Sequence, residues 1–538
     1  MHVTGNEPTA RAATHPAGGG DDHCPDSGHP PGWRRIATRC GAPATLLGCF
    51  LGLALLRHFD RSPGLFYTVL FAAYTALVFS ARRRPRQVSW REMIAVAAVA
   101  RLLVLWLPLS LSDDLYRYVW DGRVLAAGAD PYLTSPDDPS LASLRDELWE
   151  LTAHRSVESV YPPLAQTAFR FAAAWPDPIL AFKAVVATVD LLGCLLLWLC
   201  AVRLRLPTAR VLWYAWNPLV ILEGAGMGHL DPIGVAAAIA ATALLLAAPR
   251  ARGAMAATGA AIAAGGAAAA GILTKLVPVV AVPAWMLLAA TRRHAVSFAA
   301  AAGLVSAATL LPIVLRSGGL PPGLVRYGVS WEFNGPLFEP LWRFYDRIDL
   351  TQFLKSQVPR LGAEALYPWI YPQLLAKVTL AVLLCALLLL ALHRAMARSR
   401  PARGPEVVEP LRAVDQGHER RALLAVHRSF AAVMLCTATL YPWYLVWVLP
   451  TAALLRRHEW LVLSASMQAA YLPRLVGGEL YPSYFLLVWS PFLAAFAWRL
   501  WRRRRPNSPT GDRRGDQPGN GRKSAVSPHS APAGSEGR

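Results

Sequence analysis

Long apolar runs constrain this chain more than any other feature. Many of them extend for about 15 to 22 residues without interruption, roughly the length that a helix needs to cross the hydrocarbon core of a bilayer. Of the 538 residues, 54% are apolar and only 16% are charged. This composition argues against a soluble fold and predicts one all-α, polytopic integral membrane protein.

The charged residues are unevenly distributed. Arginines supply most of the formal net charge of +20 and cluster between the apolar runs. Such clusters are typical of cytoplasmic loops and of contact with anionic lipids of the inner leaflet. The sequence shows no nucleic-acid-binding motif. Its seven cysteines have no CxxC or Cys/His metal spacing, so they indicate neither a disulfide framework nor a structural zinc.

The apolar runs predict about fourteen transmembrane helices. If the N-terminus is cytoplasmic, three crossings place Asp113 and Asp114 outside, and the later arginine-bearing turns fall inside. The polar-interrupted segment 161–175 is predicted to be a helix lying on the outer surface, because counting it as a span would reverse every later loop. The predicted spans are 43–57, 64–81, a third that ends near 110, 179–200, 209–225, 231–248, 254–273, 276–290, 295–315, 372–393, 424–440, 443–455, 459–475 and 481–500.

Three regions follow from this division. Residues 1–42 are predicted to form a disordered cytoplasmic tail, and residues 506–538 a second one. The transmembrane domain between them, 43–505, has outer loops at about 111–178 and 316–371 and a cytoplasmic linker at 394–423.

The first outer loop opens with the stretch LSLSDDLYRYVWDGRVLAAGADPY, residues 109–132. Two adjacent carboxylates, Asp113 and Asp114, precede charges of both signs at what is predicted to be the membrane surface. One interpretation is an interfacial segment with aromatic rings at headgroup level and solvated charges. The other is a functional site. The further polar and aromatic residues of the stretch include Tyr116, Arg117, Tyr118, Trp120, Asp121 and Arg123.

Ionisable residues also interrupt later apolar runs, where they are expensive and functional by default. A single one is more often a packing or snorkelling residue, but several are predicted to reach the same side as Asp114, which favours a shared site. They are Glu223, His229 and Asp231 in WNPLVILEGAGMGHLDP (216–232), Lys275, and Asp190 within a span; of these, His229, Asp231 and Lys275 come to the outer end.

The dipeptide Tyr-Pro recurs on the predicted outer side. Proline favours the first position of a helix and tyrosine favours the interface, which is one sufficient explanation. The other is that several helix N-termini converge where a lipid phosphate can lie. The tyrosines are Tyr161, Tyr367, Tyr371, Tyr441 and Tyr481.

Several of these motifs together resemble one family. SDDLYRYVWDGRVLAAGADPY, YPPL, GHLDP, the lysine of ILTKLVP and LYPWYLVW are similar to the bacterial polyprenol-phosphate-mannose-dependent mannosyltransferases of the C-type (GT-C) superfamily, over roughly residues 95–450. The resemblance implies a GT-C-like membrane fold with a long first outer loop. It also implies that the essential carboxylate of that loop is Asp114, with Asp113 beside it. Leu230 departs from relatives that carry a polar residue there, which weakens any metal or hydrogen-bonding role for GHLDP.

The resemblance implies transfer of a hexose, mannose in this family, from a polyprenyl-phosphate donor to an envelope glycan or glycolipid outside the inner or plasma membrane. The absence of a P-loop and of GxGxxG favours a lipid-linked donor. Asp114 is expected as the general base, and Arg117, Lys275 and Arg123 as ligands of the donor phosphate. The candidates for sugar or acceptor binding are Trp120, Asp121, Tyr161, His229, Asp231, Trp331, Tyr441, Trp443 and Tyr444.

Two questions stay open at this point. Asp113 and Asp114 are close enough either to raise one pKa or to share a divalent cation, Mg²⁺ or Mn²⁺. A transporter or flippase of lipid-linked saccharide is the alternative function, since it also uses buried charges and many helices, and a non-catalytic subunit of an envelope complex is a third. The long carboxylate-bearing first loop favours the transferase.

Overall fold

The computed structural model describes residues 32–84, 87–397 and 411–504, and among them helices dominate. The first half contains α1 (Gly32–Leu56), α2 (Pro63–Arg83), α3 (Trp90–Val104), α4 (Asp114–Ala126), α5 (Glu147–Glu150), α6 (Pro163–Ala173), α7 (Pro178–Arg203), α8 (Leu212–Ala215), α9 (Pro218–Ile221), α10 (Asp231–Ala247), α11 (Ala254–Thr274) and α12 (Val282–Met286). The second half contains α13 (Arg292–Arg316), α14 (Pro322–Ser330), α15 (Phe338–Arg347), α16 (Leu350–Gln357), α17 (Pro372–Ala397), α18 (Leu411–Cys436), α19 (Leu449–Leu455), α20 (His458–Ser466), α21 (Leu472–Val476) and α22 (Ser483–Arg504).

Shorter turns of helix connect these elements. A π-helical turn covers Leu222–Gly226, and the 3₁₀ turns are Phe59–Arg61, Pro139–Leu144, Thr208–Val211, Ala248–Arg250, Val277–Ala281, Val358–Leu361, Glu364–Trp369, Pro442–Trp447 and Met467–Tyr471. In the described ranges the β-structure consists of isolated bridges, which join Phe333 and Asn334 to Thr439. The prediction of an all-α protein is confirmed.

Six of the described helices are long and apolar enough to span a membrane. They are Pro63–Arg82, Pro178–Arg203, Ala254–Thr274, Arg292–Arg316, Pro372–Ala397 and Ser483–Arg502. A seventh span results if Pro218–Gly226 and Asp231–Ala247, which meet at an angle of 119°, are counted together. These helices make the chain a membrane protein, but the predicted number of about fourteen spans is not confirmed.

Proline explains much of the difference. The predicted spans 209–225, 276–290, 443–455 and 459–475 consist of short helices and 3₁₀ turns, and Pro218, Pro278, Pro283, Pro450 and Pro473 begin or interrupt their segments. Proline removes one backbone hydrogen bond and clashes with the preceding turn, so a continuous helix breaks there. Interrupted backbone at membrane depth is tolerated where protein surrounds it, and residues 211–227 are buried apart from one.

The segment 161–175 forms α6, an 11-residue helix. At 1.5 Å per residue such a helix is about half as long as a bilayer core is thick. It packs on α4, and Gly122 makes their close approach possible, because a Cβ at that position would lie 2.4 Å from the carbonyl oxygen of Phe169. The loop 111–178, which the sequence predicts to lie outside, is thus anchored by a helix pair.

The long helices carry different groups of residues at their two ends. Lys275 follows α11, and Arg316 at the end of α13 pairs with Asp130 of the first loop, so both helices run toward that loop. Their other ends, together with the end of α7 at Arg203, adjoin the arginine-bearing turns. These arginine-bearing turns and the first loop therefore lie at opposite ends of this bundle.

A buried ion pair explains why a charged residue, Asp190, lies within a predicted span. The guanidinium of Arg101 donates to Asp190 at 2.9 and 2.5 Å, and Tyr214 donates to the other carboxylate oxygen at 2.8 Å. Each partner of the ion pair satisfies the other, so Asp190 ties α3 to α7 and takes no part in the site.

Parts of the predicted regions lie outside the described residues. Of the tail 1–42, residues 1–31 are outside, and α1 begins at Gly32. Of the linker 394–423, residues 398–410 are outside, and the remainder continues α17 and begins α18. The C-terminal tail 506–538 is outside entirely.

Candidate active site

A cavity of about 460 Å³ lies where the first loop meets three later segments of the chain. Its walls come from the start of α4, the turn before α6, the second loop, the segment 441–444 and the segment 470–474. The polar and aromatic lining residues are Ser112, Asp113, Asp114, Arg117, His154, Glu158, Tyr161, Tyr327, Trp331, Phe333, Tyr441, Trp443, Tyr444, Tyr471 and Arg474.

Asp114 stands at the first position of α4, where the helix dipole favours a negative charge. Its backbone N–H donates to Ser112, and the hydroxyl of Tyr118 lies 3.5 Å from its carboxylate. Burial raises the pKa of Asp114 above the ordinary aspartate value, and the charge of Asp113 adds to this shift. A carboxylate of raised pKa on a cavity wall suits a proton acceptor.

Lys275 lies beside this cavity in a fixed setting. Its ammonium donates to Asp231 at 2.8 Å and lies 3.7 Å from the ring centre of Tyr444. The indole N–H of Trp447 donates to the same carboxylate oxygen of Asp231 at 2.6 Å. The ring of Tyr444 is held by a 2.6 Å hydrogen bond between its hydroxyl and that of Tyr327. A cation placed this way can meet an anionic group that enters the cavity.

His229 is buried at the bend between the π-helical turn and α10. Its Nδ1 lies 3.2 Å from both the backbone oxygen and the carboxylate of Glu223. Tyr471, from a distant segment, donates to the two oxygens of that carboxylate at 3.0 and 2.9 Å. The sequence prediction that His229, Asp231 and Lys275 share one end with Asp114 agrees with this placement.

Three rings of an aromatic stack, those of Phe333, Tyr441 and Trp443, line the cavity, and His229 and Tyr484 extend the stack at its two ends. The ring of His229 stacks on Trp443 at 3.8 Å, Trp443 on Tyr441 at 4.5 Å, Tyr441 on Phe333 at 4.7 Å, and Phe333 faces Tyr484 at 6.1 Å. Both faces of Trp443 and of Tyr441 are therefore covered by other rings. The edges of these two rings, and not their faces, can meet a ligand in the cavity.

The remaining aromatic candidates differ in position. Tyr161 and Trp331 line the cavity, and His154 approaches the Trp331 ring at 4.7 Å. Tyr444 offers one face to Lys275. Trp120 is buried with Val124 and Leu141 in a separate cluster, so the structure does not bring it to the cavity.

The charged residues of α4 also separate. Arg117 lines the cavity, but its Nε donates to Asp121 at 2.7 Å and its Nη1 to the backbone oxygen of His154. Asp121 is buried and accepts from Ser159 as well, so it positions Arg117 and does not line the cavity. Arg123 pairs with Asp146 at 2.6 Å on a more exposed surface away from the cavity.

Sequence reasoning missed several lining residues. Arg474 approaches Asp113 at 3.8 Å, and Tyr471, Tyr327, His154 and Phe333 complete the walls. These residues lie in turns and interrupted helices whose local sequence is ordinary. The proline of 471–474 and the short WEFN segment mark breaks, but nothing in them indicates which cavity they reach.

The donor set does not fit a metal ion. Within the described ranges no group of three or more His, Cys, Asp or Glu side chains is arranged to hold one. Asp113 is turned to Arg474, and Asp114 to Tyr118. A divalent cation shared by the two aspartates needs further protein ligands that these residues do not supply.

A smaller, apolar pocket of about 110 Å³ adjoins the cavity. The two share Val160 and Tyr161, and Leu276, which follows Lys275, belongs to the pocket. Its outer wall comes from the membrane-spanning helix α13, through Leu310, Ile313 and Val314. Apolar side chains of a candidate membrane span thus line the same pocket as Leu276, the neighbour of Lys275.

Comparison with known proteins bears on the first half of the chain. Residues 44–311 match the family described as alpha-(1->6)-mannopyranosyltransferase, N-terminal domain. No curated protein and no solved structure matches the chain. The matched region contains Asp114, His229 and Lys275, and four of the six long apolar helices begin within it. The chain therefore belongs to the alpha-(1->6)-mannopyranosyltransferase family, a mannosyltransferase family of the GT-C type, and is a glycosyltransferase.

Proposed function

We propose that this mannosyltransferase takes mannose from a polyprenyl-phosphate donor and transfers it to a cell-envelope glycan or glycolipid. Asp114 is the general base that accepts the proton of the acceptor hydroxyl. Lys275 and Arg117 stabilise the departing phosphate. The site faces the extracytoplasmic side of the inner or plasma membrane, and both termini are cytoplasmic.

The observation that carries this proposal is the arrangement of three features at one end of the bundle. Asp114 lines a cavity large enough for a sugar, Lys275 lies beside it, and an apolar pocket bounded by a membrane-spanning helix adjoins both. A donor with a lipid tail, an anionic phosphate and a sugar needs these three environments in this order. A soluble nucleotide sugar has no use for the apolar pocket.

Each charged group has one role in the proposed transfer reaction. The acceptor hydroxyl attacks the anomeric carbon, the bond from that carbon to the phosphate oxygen breaks, and the proton passes to Asp114. The charge that develops on the leaving phosphate is then stabilised by cations fixed before the reaction. Lys275 is such a cation, because Asp231 and Tyr444 hold it in place.

An assay of the purified protein with a panel of polyprenyl-phosphate sugars and nucleotide sugars tests the donor. Transfer from the mannosyl lipid is expected, and transfer only from a nucleotide sugar contradicts the proposal. Asp114→Asn keeps the shape of the side chain and removes the base, so transfer should fall by at least about 10²-fold. Near-normal transfer by folded Asp114→Asn protein would overturn the assignment of the base.

Asp113→Asn is the matched control, because it makes the same change one residue away. We expect the milder loss of the two, since Asp113 is partly neutralised by Arg474. Treatment with EDTA separates the remaining alternative. Transfer that survives chelation is expected, and loss that added Mg²⁺ or Mn²⁺ restores would place a cation at the aspartate pair.

A further inference from the structure

The Glu223–His229 pair has features that the proposed reaction does not yet use. Both side chains are buried, at 0% and 1% exposure, in a protein region where an ionisable residue is costly. The π-helical turn Leu222–Gly226 and the left-handed turn at Gly228, with φ of +75°, bring them face to face. Such π turns are rare and occur frequently at functional sites.

The contacts of Glu223 determine which nitrogen of His229 carries hydrogen. Nδ1 faces a backbone oxygen and a carboxylate, both of which only accept hydrogen bonds. Nδ1 must therefore donate, and in the neutral ring Nε2 is then an acceptor. Tyr471 fixes the carboxylate, and stacking on Trp443 fixes the plane of the ring.

The other nitrogen is left without a partner. Nε2 of His229 is buried and has no hydrogen bond within the described part of the chain. Buried polar atoms are nearly always satisfied, so an orphaned one in a rigid setting keeps an unused capacity to accept a hydrogen bond. Asp231, two residues on, carries a second buried acceptor without a partner, its Oδ2.

The neighbours of His229 place it against the first turn of α4. Gly228 approaches Leu115 so closely that a Cβ on Gly228 would lie 2.6 Å from Leu115 Cδ2. Leu230 packs in one buried cluster with Leu115 and Tyr118. Leu115 directly follows Asp114, so these contacts place the bend that carries His229 next to Asp114.

We propose that Glu223 is a positioning residue which holds His229 through Nδ1, so that Nε2 accepts a hydrogen bond from a sugar hydroxyl bound beside Asp114. The hydroxyl belongs either to the transferred mannose or to the acceptor sugar. This inference rests on the proposed function for the place of the sugar. It assigns GHLDP a hydrogen-bonding role in spite of Leu230, which points into the apolar cluster.

The test compares complete substrates with mono-deoxy analogues. Removing the hydroxyl that Nε2 reads should lower kcat/KM of the wild-type protein about tenfold, the effect of one hydrogen bond. His229→Ala should show about the same loss with the complete substrate and no further loss with that analogue. A deoxy mannosyl donor and a deoxy acceptor are tested separately, and the arm that shows this coupling identifies the sugar.

Glu223→Gln tests the positioning role. Because Tyr471 donates to the side-chain oxygen, the amide NH₂ of glutamine would face Nδ1 and drive the proton to Nε2, which turns the acceptor into a donor. Glu223→Gln should therefore lose discrimination against the deoxy analogue, as His229→Ala does. Tyr471→Phe, which leaves Glu223 in place, should lose part of it and serves if Glu223→Gln does not fold.

Glu339→Gln is the control, since Glu339 is also a buried glutamate but lies on α15 with Trp342 and Arg343. It should discriminate as the wild type does. The inference is overturned if folded His229→Ala and Glu223→Gln lose as much activity as the wild type when each hydroxyl is removed. Use of a donor other than the polyprenyl lipid would defeat the proposed function alone, because the same comparison with that donor still tests Nε2.

Discussion

Asp114 combines two opposing influences on one carboxyl group. Burial and the charge of Asp113 raise its pKa, whereas the charge of Lys275 lowers it. A base works only in its deprotonated form, so activity is lost as the pH falls through this raised pKa. We expect the acid limb of kcat/KM to lie above the range of an ordinary aspartate, about 3.9.

Replacing Asp113 by Asn should shift this acid limb of kcat/KM in a direction that can be stated in advance. The change removes a negative charge that raises the pKa of Asp114, so the acid limb should move to lower pH. The pH profile of kcat/KM for the two proteins measures the shift. An acid limb that moves to higher pH would show that a group other than Asp114 determines the pH profile of kcat/KM.

Lys275 allows a prediction about the leaving phosphate. Lys275→Ala should lower turnover by roughly 10²- to 10³-fold, the usual effect of losing one transition-state contact. Lys377→Ala is a matched control, because Lys377 also pairs with a carboxylate, that of Glu332, but does not line the cavity. Expression and thermal unfolding in detergent show whether each variant folds.

Arg117→Ala should also lower turnover. Its loss leaves the buried Asp121 without its cation, so a reduced melting temperature is expected together with the reduced rate. Unchanged turnover in both Lys275→Ala and Arg117→Ala would move the phosphate to another part of the cavity, of which Arg474 is the next cation.

Among the individual residues of the site, the charged ones are the easiest to predict from the sequence. Asp114, His229, Asp231 and Lys275 interrupt or flank apolar runs, where a charge is conspicuous in sequence. Arg474 was not predictable, because an arginine after a short apolar helix has an ordinary explanation as an interfacial residue. The direction of aromatic rings was not predictable either, since stacking on Trp443 depends on chain segments far apart in sequence.

Among the structural elements, the bend before α10 leaves the least space for a substitution. Gly228 has a positive φ, and a Cβ there would approach Leu115 at 2.6 Å and Lys183 at 3.1 Å. Gly228→Ala should therefore lower the stability of the fold by about 1–3 kcal/mol or more and reduce transfer. Gly266→Ala, within α11 and with open space around the position, should leave both unchanged or improve stability slightly.

Thermal unfolding in detergent micelles compares these two variants with the wild type. A melting temperature of Gly228→Ala equal to that of the wild type would mean that the bend relaxes without cost. The apolar run at 231–248 was placed correctly from sequence, since α10 covers Asp231–Ala247. The bend itself was indicated only by small residues around His229, whose composition does not give an angle.

At the scale of the whole molecule, the arginine-bearing turns after α7 and before α11 and α13 lie at the end of the bundle opposite the cavity, which predicts a topology. The cytoplasmic side normally holds the arginines, so the cavity should open outside. In a variant without the native cysteines, Cys at exposed Ala127 should react with a membrane-impermeant maleimide in intact cells. Cys at exposed Arg252 should react only after permeabilisation, and labelling of both positions in intact cells would contradict this topology.

The aromatic stack has a consequence for how this protein can be divided. Its first ring, His229, belongs to the matched region 44–311, whereas Phe333, Tyr441, Trp443 and Tyr484 come after it. A fragment that stops near residue 311 would keep Asp114 and Lys275 but would lack the rings that cover His229 and the hydroxyl that fixes Glu223. We therefore expect transfer to need the chain at least as far as Arg474, which lines the cavity beyond the matched region.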